Sequence, residues 1–317
     1  MSPRSLAAAL AIVALSASAQ NHPNLQGYWT NATFTPLERP VELANKEFFT
    51  KEEAAEFDRK RLERENAQAK NDIHYDNTLW QTETWGRVES RRTSIVFDPP
   101  NGRLPELSPE GTIQAAAKAQ AARRRASADS AQDRSLAERC ITWGNEGPPM
   151  LGSTYNANMQ IVQTANLLVI AHEIGHANRM IPLDGHPHLS PSIHQLGGDS
   201  RGHWEGDTLV VDSTNFNDQT NFRGPPSQAR QDIFSDANLH VVERFTLTSP
   251  NTIIYRFTVT DPTVWTKPWS GELIMNRTKG PIYEYACHEG NYGLANILAG
   301  ARAAEKAAAK PTNQSSR

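Results

Sequence analysis

Two histidines flank a glutamate in His172-Glu173-Ile174-Gly175-His176, the H-E-x-x-H pattern in which two imidazoles hold zinc and the carboxylate serves as general base. With this His and Glu content, random order yields roughly 0.02 such matches per chain, so the spacing calls for a physical test. The chemistry needs a helix, because about 3.6 residues per turn set both imidazoles on one face with the glutamate beside them. In a strand, at roughly 3.3 Å per residue, they stand about 13 Å apart, beyond the reach of one ion with bonds of about 2 Å. Secondary structure therefore decides the chemistry.

A helix has support from an apolar stripe of Leu167, Ile170, Ala171, Ile174 and Ala177. Against it, the third-ligand patterns of the zinc peptidases are missing: Pro182 stands ten residues after His172, no Met-turn follows, and Glu205 has no helix around it. A strand has support from the neighbouring β-branched runs 160–163 and 167–170, and from Arg179 to Leu183 running into an Asp184-Gly185 turn. The expectation is extended chain over 167–183 with an irregularity at Gly175, where glycine permits a bulge that re-aims Glu173 toward His176. On that reading no zinc is bound by the two histidines, and Glu173→Gln costs more activity than His172→Asn.

Glu173 lies in an apolar run, where a carboxylate is either paired or has a raised pKa, as general bases do. It is the candidate base, with His176 as acid or orienting group; the bland alternative is a salt bridge to Arg179 or Arg201. Asp199, Arg201, Trp204 and His288 are the candidate substrate-binding residues, polar or aromatic groups on or near strand ends, where barrel mouths hold ligands. A metal site, if there is one, would draw on His172, His176 and His188; otherwise no cofactor is expected. His186 and His194 read as hydrogen-bonded turn residues, and Trp265 and Trp269 as packing.

These groups need elements to hold them. Residues 1–19 have the form of a signal peptide, with Arg4, an apolar run from Leu6 to Leu15, and Ala17-Ser18-Ala19 at the cleavage site. Export predicts an oxidising compartment and hence a disulfide between Cys140 and Cys287, the only cysteines. A net charge of −3 with mixed signs offers no field for nucleic acid or an anionic membrane, and past the leader no apolar stretch is long enough to span a bilayer. The expected partner is a small molecule.

Thr50 to Glu53 forms a capping box that opens a surface helix over 50–66, and Ser108-Pro109-Glu110 starts a second helix reaching about residue 139. Strands are expected at 25–30, 94–97, on either side of Glu205-Gly206-Asp207, at 239–247 and 252–260, and at 271–278 and 282–287. In the 239–260 hairpin Val241, Phe245, Tyr255, Phe257 and Val259 alternate with His240, Arg244, Arg256 and Thr258, one apolar face and one polar. The predicted architecture is mainly β, one antiparallel calycin-like barrel over residues 20–302 with two helical insertions, followed by a flexible tail over 303–317.

Gly27-Tyr28-Trp29 is similar to the Gly-x-Trp first-strand signature of lipocalin-like (calycin) barrels. Residues 25–302 also resemble a widespread family of exported bacterial proteins without an established activity. The resemblance rests on Ile181-Pro-Leu-Asp-Gly185, on residues 202–211 (GHWEGDTLVV), and on residues 283–293 (YEYACHEGNYG). In that family's pattern the position of His172 is often another residue, which implies that the peptidase motif is incidental while Glu173 and His176 remain candidates. The expected function is an exported lyase, isomerase or hydrolase acting on a small organic molecule by Glu/His acid–base chemistry. A non-catalytic periplasmic carrier and a zinc hydrolase are the alternatives.

Overall fold

Period-two alternation through the second half of the chain produces the ladders it predicts. The computed structural model describes residues 22–69, 91–125, 128–143, 146–152, 157–175, 177–219, 234–235 and 237–309; the expected leader and His176 lie outside the described residues. Ten strands occur among them: β1 (Gly27–Thr30), β2 (Val96–Asp98), β3 (Asn158–Gln163), β4 (Leu167–His172), β5 (Asn178–Pro182), β6 (Asp199–Glu205), β7 (Thr208–Thr214), β8 (His240–Ser249), β9 (Thr252–Thr260) and β10 (Trp269–Thr278). All pair antiparallel in the order β5-β4-β3-β1-β10-β9-β8-β7-β6, with β2 beside β10. No ladder joins β5 to β6, so the sheet is not closed. Its two edges still meet through side chains, since a Cβ on Gly202 of β6 would strike Leu183 and Ile181.

One face of the sheet forms the core. Trp29, Ile161, Ile170, Val241, Phe245, Tyr255, Phe257 and Trp269 are buried together, and each such side chain stabilises by about 1.5–3 kcal/mol. Trp29 donates its indole N–H to Leu25 O at 2.8 Å and lies under the Arg277 guanidinium, 4.3 Å from the ring centre. The apolar alternation in β8 and β9 has one break: Glu243 falls on the inward face and is fully buried.

Helix α1 (Lys51–Ala69) opens with the expected capping box, Thr50 N–H donating to Glu53 Oε2 and Glu53 N–H to Thr50 Oγ1. Helix α2 (Pro109–Arg125) is capped by Ser108 Oγ and ends earlier than expected. The Ser- and Asp-rich sequence that follows satisfies its own backbone, as Ser130 and Asp133 do around a short 3-10 turn. Residues 282–287 are not a strand, because both sides of β10 are already taken by β9 and β1. The chain continues instead into α3 (Tyr292–Ala308), a helix where the sequence pattern led us to expect none.

Cys140 and Cys287 are bonded, with Cα atoms 5.7 Å apart and positions 147 apart in sequence. A loop of that length contributes about 4–5 kcal/mol in the chain-entropy account. The bond ties the 282–291 segment to the loop after α2, and Asn291 Nδ2 reinforces it by donating to Glu138 O. No helix among the described residues is long and apolar enough to cross a membrane.

Candidate functional site

The central motif is divided between a strand end and a turn. β4 runs to His172, Glu173-Ile174-Gly175 turn the chain, and Gly175 adopts φ +75°, a conformation open to glycine. The motif's described residues, His172 to Gly175, are therefore not helical, and H-E-x-x-H chemistry requires a helix. His172 points inward, 8% exposed, and its Nε2 has no hydrogen-bond partner among the described residues. Burial, with the nearby Arg179 charge adding to it, pushes its pKa down to about 3, so the imidazole is neutral at physiological pH.

Glu173 meets neither Arg179 nor Arg201. Its Oε2 accepts the backbone N–H of Tyr283 at 3.3 Å, below the segment held by the disulfide. Arg179, inward on β5, forms a two-pronged pair with Glu243 across the interior and donates to Ser200 Oγ at 3.4 Å. Tyr255 donates its hydroxyl hydrogen to Glu243 Oε1 at 2.8 Å and accepts from Met150 N–H at 2.9 Å. Burial pushes the Tyr255 phenol well above its ordinary value, and the Glu243 charge adds to the effect. This buried group bridges the open seam: Arg179 reaches from edge strand β5 to β8 and also to β6 on the other edge.

The opposite face of β6, β7 and β8 carries a second polar group. Ladder register sets Arg201 opposite Asp212 and Asp212 opposite Val242, two residues on from His240. The loop after β5 adds His188. Its Nδ1 stands 2.9 Å from Asp199 Oδ2 and its Nε2 2.9 Å from Asp212 Oδ1, while His240 Nε2 stands 2.7 Å from Asp212 Oδ2. Carboxylate oxygens face both nitrogens of His188, so both contacts are hydrogen bonds only when the ring carries two N–H groups. Asp199 is 5% exposed and also accepts from Leu189 N–H and from Arg201 Nη1. Arg201 in turn donates through Nε to Pro187 O, so Asp199 and Arg201 together hold the His188 loop.

Asp212 is the centre of this group. The hydrogen bond from His240 holds its carboxyl below the ordinary value, with a further contribution from His188, and against the opposing effect of burial. In return the same bond raises His240 above the ordinary histidine value. The His240 side chain is 43% exposed and that of His188 28%, so both are open to a molecule in solution. An accessible imidazole backed by a carboxylate can exchange a proton with a bound molecule, and His240 on Asp212 has that arrangement.

Among the sequence candidates, the structure brings together Asp199, Arg201 and His188, the last of which the sequence offers only as a metal ligand. Asp212 and His240, the remaining members, are not among those candidates; the signal that could have found them is the period-two register that puts them on one face with Arg201. His288 is exposed on the disulfide-linked segment, and Trp204 faces inward, stacked at 4.7 Å on His22, so neither joins the group. His186 pairs with the neighbouring Asp184, and His194 contacts Phe216 O. No three His, Cys, Asp or Glu side chains among the described residues are arranged to hold a metal ion, and His172 is buried facing inward whereas His188 is in the loop held by Asp199 and Asp212.

A cleft of about 480 Å³ opens where β5 and β6 fail to pair. Asp199 belongs to both the cleft and the His188 group, whereas Glu173 and His288 line neither. No protein-family model matches the chain, and no curated protein matches it. Among solved structures it is similar to secretory abundant heat soluble protein 4 from Ramazzottius varieornatus, with 12% identity over 45% of this chain and 85% of that one and a TM-score of 0.23. A likeness at that score carries no argument about function.

Proposed function

We propose that the protein is an exported enzyme that acts on a small polar organic molecule by acid–base chemistry, with His188, Asp212 and His240 as its catalytic group. The observation that carries this reading is the convergence of two accessible imidazoles on one carboxylate, one ring braced from behind by a buried aspartate. His240 exchanges a proton with the substrate, Asp212 orients and tunes it, and His188, both of whose ring nitrogens face carboxylates, holds Asp212 in place. Asp199 is a positioning residue, because its carboxylate is engaged by His188, Leu189 N–H and Arg201.

Export and the family resemblance belong to the same proposal. The leader pattern over residues 1–19 and the Cys140–Cys287 bond both fit an oxidising compartment. A calycin-like barrel is our finer reading of the fold, supported by the up-and-down strand order and by the buried Trp29 of Gly27-Tyr28-Trp29 beneath Arg277. The cleft favours a second reading, a carrier that binds without turnover.

Turnover can be sought without naming a substrate in advance. The mature protein is incubated with a small-molecule extract, and each component is followed by mass spectrometry against the variants His188→Asn, Asp212→Asn and His240→Asn. The reading predicts at least one species consumed by the wild type and spared by all three variants, with losses of about 100-fold or more. Consumption unchanged in the variants overturns it, and binding without consumption assigns the carrier role.

A further inference from the structure

We infer that the cleft between β5 and β6 binds a small organic cation through Glu146. The inference stands apart from catalysis at His188, Asp212 and His240, since it concerns a different set of side chains on the open seam.

The charges around the cleft leave one group uncompensated. Arg179 lines it, but both ends of its guanidinium are engaged by Glu243. Asp199 lines it as well and is matched by Arg201 and His188. Glu146 has no such match. It is 2% exposed, accepts from Thr142 Oγ1 at 3.0 Å and Trp143 N–H at 2.9 Å, and has no Lys, Arg or His in ion-pair contact among the described residues.

Burying a carboxylate without a counter-charge is costly, and an occupant with a positive group removes that cost. An anion meets Glu146, and Arg179, the one cation among the described lining residues, has its charge matched by Glu243 with only its Nε unpartnered, so the cleft favours a positive group. A bare metal ion is a poor fit, because no three carboxylate, imidazole or thiolate groups among the described residues are arranged to hold one. The remaining wall is mixed: Ile141, Met180 and Leu196 offer apolar surface, Ile141 and Met180 being 39% and 63% exposed, among polar Asn178, Gln195 and Ser200. An ammonium group for Glu146 on a small organic body that can lie against Ile141, Met180 and Leu196 fits this lining.

The local structure around Glu146 supports a carboxylate held in place for this purpose. Gly175 lies against Glu146 Oε1 so closely that any Cβ there would collide with it. The glycine in the H-E-x-x-H pattern thus makes room for a different carboxylate from the one the motif names.

Calorimetric titration of the mature protein with benzylammonium, benzyl alcohol and benzoate holds the ring constant while the charge changes. We expect benzylammonium to bind at least about tenfold more tightly than benzyl alcohol, with benzoate weakest. Glu146→Gln should bring the first two within about twofold of each other, with the melting temperature measured alongside. Should that variant not fold, Met180→Lys decides, because it adds a positive charge at an exposed position on the rim. It should weaken benzylammonium by about threefold or more while leaving benzyl alcohol unchanged. Benzoate or benzyl alcohol binding as tightly as benzylammonium overturns the inference. So does a preference that survives both substitutions, or no binding of any of the three at about 10 mM.

Discussion

His240 and Asp212 make the site's electrostatics measurable one residue at a time. Their bond raises the histidine and lowers the aspartate, so His240 followed by NMR should titrate above the ordinary value of about 6.5 and fall back toward it in Asp212→Asn. The sign for stability follows: His240 contributes fully below about pH 6.5, and its contribution is lost as pH rises through the raised folded value. His172 acts in the opposite sense. With a folded value near 3, it costs stability as pH falls below about 6.5, by up to about 1.4 kcal/mol per pH unit until the folded value is reached. His172→Gln should therefore flatten the acid side of the stability curve, which chemical denaturation at several pH values would show. Asp199, Arg201 and His188 were legible in the sequence because they cluster within a few residues of turns. Asp212, His240 and Glu243 were not, because their partners come from other strands and only the ladder register reveals them.

Among strands and turns, alternation locates most of the ladder to within a few residues, and the exceptions have identifiable causes. The segment at 282–287 has β-like composition but follows β10, whose two sides are already paired, and a single sequence does not show which sides are occupied. β5 begins after a turn that the motif's helical stripe obscures, and Gly175 resolves the ambiguity. Gly175→Ala should destabilise by about 1–3 kcal/mol or more, since the residue needs φ +75° and its Cβ would strike Glu146. The Arg179–Glu243 pair, which joins two strands, can be tested in the same way. Glu243→Gln leaves a buried guanidinium without its counter-charge and should cost about 3–5 kcal/mol, whereas replacing both residues by Met and Leu should recover most of it. Equal losses in the single and double variants would mean that the pair does not act as a unit.

Among the described residues the molecule is organised on an antiparallel sheet whose edges meet without pairing, and the open seam decides where chemistry can occur. Inside it, Arg179 and Glu243 bridge the gap; outside, the loop after β5 folds back to carry His188 onto β6 and β7; between them the cleft remains open. Antiparallel β character was legible from the start, because it depends on local alternation. Closure was not, since it depends on whether the first and last strands of the path find each other. Catalysis as proposed requires Asp212 to tune His240 as the proton donor of an acid–base pair, and the pH dependence of substrate consumption in wild type and Asp212→Asn reads that coupling. Because His240 acts protonated, wild-type activity should fall on the alkaline side at a pH above the ordinary histidine value, and Asp212→Asn should lower the rate and move that fall to lower pH. An alkaline limb that stays in place when Asp212 is replaced, at an unchanged rate, would mean that Asp212 does not tune the proton donor.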